Sequence, residues 1–74
     1  MKVEIIGKMN CPNCDRAKQL LSLVGIEFSY SDIEYDEDAG NKAISLKARE
    51  LPLIFIDGEW IGGLKDLQRE IENI

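Results

Sequence analysis

The spacing of hydrophobic and polar residues changes several times along this 74-residue chain. Residues 3–6 form a short, β-branched run and predict a first strand. Residues 26–33 alternate between apolar and polar side chains, which predicts a second strand with one buried face. Between these two strands, Pro12–Val24 has the spacing of a helix that ends at Gly25. The apolar side chains expected on its buried face are Ala17, Leu20, Leu21 and Val24.

The second half of the chain predicts four more elements. A helix is expected to begin at about Asp36 or Asn41 and to end at Ala48, with Ile44, Ala48 and Leu51 on one side. Leu53–Ile56 is continuously apolar and predicts a strand covered on both faces. The pair Asp57-Gly58 is a hairpin turn that leads into a fourth strand over residues 59–61. After Gly62-Gly63, helical spacing returns at Leu64, Leu67, Ile71 and Ile74.

The order of these elements is β-α-β-α-β-β-α, which indicates an α/β fold. The first βαβ unit has to be parallel and right-handed, whereas the short turn makes the last hairpin antiparallel. We therefore expect a four-stranded mixed sheet with three helices packed against it. A chain of 74 residues has room for one domain, so residues 1–74 are interpreted as a single unit.

Composition and charge exclude several classes of function. The net charge of −5 argues against nucleic acid as a partner, because binding to phosphates needs clustered Lys and Arg. No apolar run approaches the roughly 20 residues of a membrane span, and no signal-like leader precedes the first strand, so a cytoplasmic location is expected. The chain has no histidine, which excludes Ser–His and Cys–His hydrolases.

The two cysteines, Cys11 and Cys14, lie at the predicted start of the first helix. A disulfide across so short a loop lowers the entropy of the unfolded chain by only about 2 kcal/mol in free-energy terms. Such a disulfide would therefore stabilise the fold little. The unpaired N–H groups and the positive end of the helix dipole point at the Cys11 sulfur and favour its thiolate. Lys8 lies three residues upstream and can add positive charge. Cys11 is therefore the candidate nucleophile, and the more covered Cys14 is the candidate resolving cysteine of a dithiol redox centre.

Two other interpretations of the cysteines stay open at this level. The first is a metal-binding module for zinc or an iron–sulfur centre that uses Cys11 and Cys14, bridged across a dimer because a monomer lacks further ligands. The second is a domain that only binds partners and whose cysteines are inert core residues.

Three separated motifs carry a resemblance to a known family. The stretch KMNCPNC at residues 8–14, followed by Leu51-Pro52 and Gly62-Gly63, resembles the glutaredoxin family of the thioredoxin fold. The resemblance implies dithiol–disulfide exchange on disulfide-containing protein substrates, with no bound cofactor and with glutathione as co-substrate or thioredoxin reductase as electron source. It also implies a cis Leu51–Pro52 bond that faces the cysteines, and a Leu51 backbone that pairs with substrate like an added strand.

The residues that the resemblance places around the substrate come from every part of the chain. They are Lys8, Pro12, Asn13, Arg49, Leu51, Pro52, Gly62, Gly63 and Lys65.

At three positions the chain departs from the usual glutaredoxin pattern. Asn13 replaces a frequent Tyr, Glu50 stands where Thr is usual, and Lys65 stands where an acidic or hydroxyl residue is frequent. Glu50 and Lys65 weaken the expectation that glutathione binds, because glutathione carries two carboxylates and one ammonium. Leu51-Pro52 and Lys65 resemble instead the redoxins that donate electrons to ribonucleotide reductase, whereas Gly62-Gly63 resembles the branch that uses glutathione.

Four further residues are interpreted without a site role. Trp60 is expected to pack, Asp66 is expected to complement the dipole of the last helix, and Tyr30 and Tyr35 give no signal.

Overall fold

The computed structural model describes residues 1–73, so the predicted helical position of Ile74 lies outside the described residues. The elements follow the predicted order. They are β1 (Val3–Gly7), α1 (Pro12–Val24), β2 (Phe28–Asp32), α2 (Glu37–Ser45), β3 (Leu53–Ile56), β4 (Glu59–Gly62) and α3 (Leu64–Glu72). Within residues 1–73, none of these helices combines the length and the apolar character needed to cross a bilayer.

The strands form one four-stranded sheet in the order β2-β1-β3-β4. β1 pairs in parallel with β2, with Ile5 opposite Tyr30, and antiparallel with β3, with Ile5 opposite Ile54. β3 and β4 pair antiparallel across the Asp57-Gly58 turn. The mixed sheet with three helices confirms the predicted thioredoxin-like α/β fold, and it places β2 and β4 at its edges.

One face of the sheet is covered by α1 and α3. Its buried residues come from two strands and both helices: Val3, Ile5, Ala17, Leu21, Ile54 and Leu67. The buried stripe of α1 begins at Cys14 and continues through Ala17 and Leu21, a spacing of three and four residues.

The prediction that Val24 lies on this face is wrong, because Val24 is 46% exposed. The helix ends in a Schellman-type turn, in which Gly25 adopts a left-handed conformation and the Ile26 N–H donates to the Leu21 carbonyl oxygen at 2.9 Å. Ile26, rather than Val24, then packs against the core at the end of the helix.

The opposite face is covered by α2. Its buried residues are Ile6, Ala39, Leu53 and Phe55. Asp36 is the N-cap of the helix and accepts a hydrogen bond from the Ala39 N–H at 3.2 Å, which selects the earlier of the two predicted starts.

Two predictions for α2 are wrong. The helix ends at Ser45 and not at Ala48, and Lys47 follows in a left-handed conformation with φ 54°. Ile44 is 76% exposed, because Ala39 and Ala43 face the sheet and Ile44 lies five residues from Ala39, on another side of the helix.

Candidate active site

The loop after β1 delivers Cys11 to the start of α1. Asn10 adopts a left-handed conformation with φ 57°, and Cys11 then serves as the N-cap residue with extended backbone angles. The Cys14 N–H donates a hydrogen bond to the Cys11 sulfur at 3.2 Å. The sulfur therefore occupies the position in which a capping side chain accepts from the free amides of a helix start.

Cys11 and Cys14 are one turn apart and joined in a disulfide, with their Cα atoms 5.2 Å apart. Cys11 retains 7% exposure, whereas Cys14 has none. The two sulfurs are thus bonded to each other, and of the two residues only Cys11 keeps contact with solvent. This arrangement is the one that the spacing of the cysteines predicts for a dithiol pair.

The Leu51–Pro52 peptide bond lies beside the cysteines and is cis, as the resemblance implied. The Leu51 carbonyl oxygen is 3.8 Å from the Cys11 sulfur. Pro52 is buried, and Leu51 is half-buried. The bond therefore brings a backbone carbonyl against the candidate nucleophile.

A cavity of about 640 Å³ opens between α1, the loop before β3 and the start of α3. It is large enough for a ligand of the size of a short peptide. Seven of the predicted substrate residues line it: Asn13, Arg49, Leu51, Pro52, Gly62, Gly63 and Lys65.

A second groove adjoins this cavity on the side of Cys11. Lys8 and Pro12 line it together with Cys11, and it shares Arg49 and Leu51 with the first cavity. The fold therefore gathers every predicted substrate residue into two adjoining cavities, the smaller of which is also lined by Cys11.

The two glycines act on the fold in different ways. Gly62 has φ 127°, and a β-carbon there would collide with the Asp66 carboxylate, whose Oδ2 atom accepts from the Gly63 N–H at 3.0 Å. A β-carbon on Gly63 would lie 3.4 Å from the Pro52 carbonyl oxygen. Gly62 is thus required for the turn into α3, whereas a β-carbon on Gly63 would make an ordinary van der Waals contact.

Positive charge is concentrated in the larger cavity. Its cations are Arg16, Lys47, Arg49 and Lys65, against the carboxylates of Glu50 and Asp66. Within residues 1–73, none of these cations forms an ion pair, since the salt bridges join Lys2 to Glu4 and Lys18 to Asp15. On a chain of net charge −5, this cavity is suited to an anionic ligand.

Sequence reasoning missed several residues of this cavity. Arg16 lies three residues after Asn13 on α1, so helical spacing alone could have placed it there. Lys47 follows the end of α2 at Ser45, whereas the predicted helix ran three residues further, to Ala48, and so enclosed Lys47. Trp60 was expected to pack, but it is 40% exposed and lines the cavity from β4.

Tyr30 was also missed, and it lies beside the cysteine pair. A β-carbon on Gly7 would be 2.8 Å from both the Tyr30 hydroxyl oxygen and the Cys14 sulfur. The Tyr30 hydroxyl donates to the Lys8 carbonyl oxygen at 3.3 Å. Burial raises the pKa of Tyr30 above its ordinary value, and the carboxylates of Asp32 and Asp15 raise it further. No pattern in the sequence links Tyr30 to the cysteines, because the contact depends on the pairing of β2 with β1.

Among residues 1–73, no group of three or more Cys, His, Asp or Glu side chains is placed to hold a metal ion.

Comparison with known proteins gives a consistent result. A family model described as Glutaredoxin matches residues 3–61. Glutaredoxin 3 of Escherichia coli (strain K12) is 42% identical over 66 residues, which cover 88% of this chain and 80% of that protein.

Solved structures are similar over nearly the whole chain. A glutaredoxin from Brucella melitensis superposes with a TM-score of 0.79 at 31% identity, covering 99% of this chain and 80% of that one. The glutaredoxin-like NrdH-redoxin of Escherichia coli, described as having a thioredoxin-like activity profile, gives a TM-score of 0.81 and covers 93% of both chains. Its identity is 18%, so that similarity concerns the fold alone.

Proposed function

Because this chain belongs to the glutaredoxin family and is a thiol–disulfide oxidoreductase, we propose that it reduces protein disulfides and glutathione mixed disulfides through Cys11 and Cys14. The observation that supports the proposal is the position of the Cys11 sulfur. It accepts from an amide at the start of α1, lies beside the Leu51 carbonyl and is paired with a buried second sulfur.

In the first step, the Cys11 thiolate attacks one sulfur of a substrate disulfide. A bond forms between Cys11 and that sulfur, the substrate S–S bond breaks, and the other substrate sulfur leaves as a thiolate that takes a proton from solvent. The Cys14 N–H, 3.2 Å from the Cys11 sulfur, stabilises the attacking anion with a charge-assisted hydrogen bond.

In the second step, the Cys14 thiolate attacks the Cys11 sulfur of the mixed disulfide. The Cys11–Cys14 bond forms, and the second substrate sulfur leaves with the electron pair of the broken bond. The substrate is reduced by two electrons and the protein is oxidised by two. The disulfide form, with Cα atoms 5.2 Å apart, is the product of this step.

The larger cavity would hold the remainder of the substrate. Its cations suit the carboxylates of glutathione, and the Leu51 backbone, whose carbonyl oxygen lies 3.8 Å from the Cys11 sulfur, would pair with an extended segment. Glu50 opposes a carboxylate at one side of the cavity, so we assign the anion contacts to Arg49 and Lys65.

Single-cysteine variants test the proposed roles. Cys14→Ser is expected to accumulate mixed disulfides with substrate, because the second step is lost, and Cys11→Ser is expected to abolish turnover. Mass spectrometry of the products and an NADPH-coupled reduction assay measure the two outcomes. Mixed disulfides on Cys14 in the Cys11→Ser variant, at the rate seen for Cys11, would reverse the assignment.

The source of electrons is tested separately. We propose glutathione with glutathione reductase, and an electron-donor role toward ribonucleotide reductase with thioredoxin reductase is the second candidate, favoured by Leu51-Pro52 and Lys65. NADPH oxidation is measured with each reducing system alone, on the same disulfide substrate. Turnover only with thioredoxin reductase would overturn the glutathione proposal.

The alternative metal-binding module makes a different prediction. A zinc or iron–sulfur centre bridged by Cys11 and Cys14 across two chains would give a dimer with bound metal. Metal analysis and the mass in solution of protein purified without added metal distinguish the two proposals. Stoichiometric metal, lost together with the dimer in Cys11→Ser, would favour the module over the oxidoreductase centre.

A further inference from the structure

Gly7 is the last residue of β1, and a hydroxyl group and a sulfur both lie close to the position that its missing side chain would occupy. The Tyr30 hydroxyl oxygen and the Cys14 sulfur each lie 2.8 Å from the point that a β-carbon on Gly7 would occupy. The two atoms are therefore at most twice that distance from each other. Any side chain at position 7 would separate them.

In the second step of the proposed reaction, Cys14 has to react as a thiolate. Its side chain is fully buried, and burial disfavours the thiolate that has to attack the mixed disulfide. Its own N–H is already directed at the Cys11 sulfur, so that donor is not available to the Cys14 sulfur. A neighbouring hydrogen-bond donor would offset this cost.

We propose that Tyr30 is a positioning residue for the resolving cysteine, whose hydroxyl donates a hydrogen bond to the Cys14 sulfur when that sulfur is anionic. The inference rests on the proposed function of Cys14. In the disulfide form, where the Cys14 sulfur carries no charge, the hydroxyl donates to the Lys8 carbonyl oxygen at 3.3 Å. After reduction, a movement of the hydroxyl toward Cys14 exchanges this bond for a charge-assisted one.

The surroundings of Tyr30 keep its hydroxyl in the donor form. Lys18 of α1 places its ammonium 4.3 Å from the centre of the ring, and Asp15 of α1 and Asp32 of β2 are the nearby carboxylates. Burial and these carboxylates raise the pKa of the phenol. Tyr30 therefore remains protonated at neutral pH and acts as a donor, not as a base.

The proton balance of the second step is simple in this arrangement. The Cys14 thiol gives its proton to solvent, and the Tyr30 hydroxyl stabilises the resulting thiolate without transferring its own proton. The thiolate then forms the bond to the Cys11 sulfur, and the departing substrate thiolate takes up a proton from solvent.

The test separates the two steps with an aromatic disulfide reagent, 5,5′-dithiobis(2-nitrobenzoic acid), mixed rapidly with reduced protein. The attack of Cys11 releases the first coloured thiolate, and the attack of Cys14 releases the second. In Tyr30→Phe we expect an unchanged first phase. The second phase should be about tenfold slower near neutral pH. The pH at which its rate is half-maximal should rise by about one unit, because a hydrogen bond to a charged group is lost.

Tyr35→Phe is the matched control, because Tyr35 is 78% exposed and its hydroxyl is directed at the Met9 sulfur, 3.9 Å away, and not at Cys14. It should leave both phases as in the unmodified protein. A second phase in Tyr30→Phe with unchanged rate and pH midpoint would overturn the inference. Absence of the second phase in the unmodified protein would instead overturn the proposed role of Cys14.

A measurement on the unmodified protein covers the case in which Tyr30→Phe does not fold. With tyrosine labelled by ¹³C at the ζ carbon, the Tyr30 resonance of the reduced protein should shift at the same pH at which Cys14 ionises. That pH is read from the second phase, and the Tyr35 resonance should not respond there. A Tyr30 resonance that is flat through the midpoint of the second phase would contradict the hydrogen bond.

Discussion

At the scale of single residues, the chemistry of this protein depends on which atoms face one sulfur. Cys11 meets an amide of α1 on one side and the Leu51 carbonyl oxygen on the other. Asn13, which replaces a frequent Tyr, lines the neighbouring cavity together with Arg16. The immediate surroundings of the Cys11 sulfur thus include two backbone groups besides Cys14, and charged side chains line the neighbouring cavity.

The raised pKa of Tyr30 predicts how the stability of the fold depends on pH. Because its pKa in the folded protein is raised, folding is favoured by the protonated phenol at every pH below its ordinary pKa of about 10. This contribution is lost as the pH rises through the raised folded pKa. Urea unfolding between about pH 9 and about pH 11 should therefore show a steeper loss of stability in the unmodified protein than in Tyr30→Phe. Equal slopes in the two proteins would contradict the raised pKa.

Lys65 should contribute to binding through its charge. We expect Lys65→Ala to raise the KM for an anionic glutathione mixed disulfide about two- to fivefold, as for a partly exposed ion pair, with little change in kcat. The effect should shrink at about 1 M salt, where screening is strong. Lys2→Ala removes the same charge outside both cavities and should leave the KM unchanged. An equal rise in the two variants would show a general effect of net charge instead of a contact.

At the scale of elements, most differences between the structure and the sequence prediction lie at the ends of helices. The Schellman-type turn at Gly25 replaces Val24 by Ile26 at the core, and the end of α2 at Ser45 frees Lys47 to line the cavity. Apolar spacing predicted both helices, but it could not fix their last turns. Those turns depend on capping hydrogen bonds and on what lies beneath the helix.

The N-cap of α2 offers a clear test at this scale. Asp36→Ala removes the hydrogen bond from the Ala39 N–H and should lower the free energy of unfolding by about 1 kcal/mol. Glu37→Ala is the control, since it removes the same charge from the first turn without removing the cap. Urea denaturation of both variants measures the difference. Similar losses in the two would mean that charge, and not capping, stabilises the start of α2.

At the scale of the whole molecule, a thin sheet separates two small cores. α1 and α3 cover one face, and α2 covers the other. A domain of this size buries only roughly 60% of the surface that its unfolded chain exposes, so each core residue contributes a large share of the stability. The cysteine loop follows β1 and the cis proline precedes β3, so the two meet at the same end of the two central strands.

Leu21 and Leu23 test how much of the stability lies in the first core. Leu21 is fully buried, whereas Leu23 on the same helix is 84% exposed. Leu21→Ala should lower the free energy of unfolding by about 2–5 kcal/mol, through lost transfer energy and a cavity. Leu23→Ala should change it by less than about 0.5 kcal/mol. Denaturation followed by circular dichroism compares them, and a small loss for Leu21→Ala would place the main core elsewhere.

By itself, the sequence determined the order of the elements, the mixed sheet and the cysteine pair at the start of α1. These features follow from local signals: apolar spacing, glycine and proline positions, and two thiols one helical turn apart. The tertiary structure alone decided that α1 with Arg16, the segment with Lys47 and Arg49, and the start of α3 with Lys65 meet at one cavity, and that Tyr30 lies near Cys14. These contacts join residues that are distant in sequence, and strand pairing and helix packing set their distances. No local pattern along the chain encodes those distances.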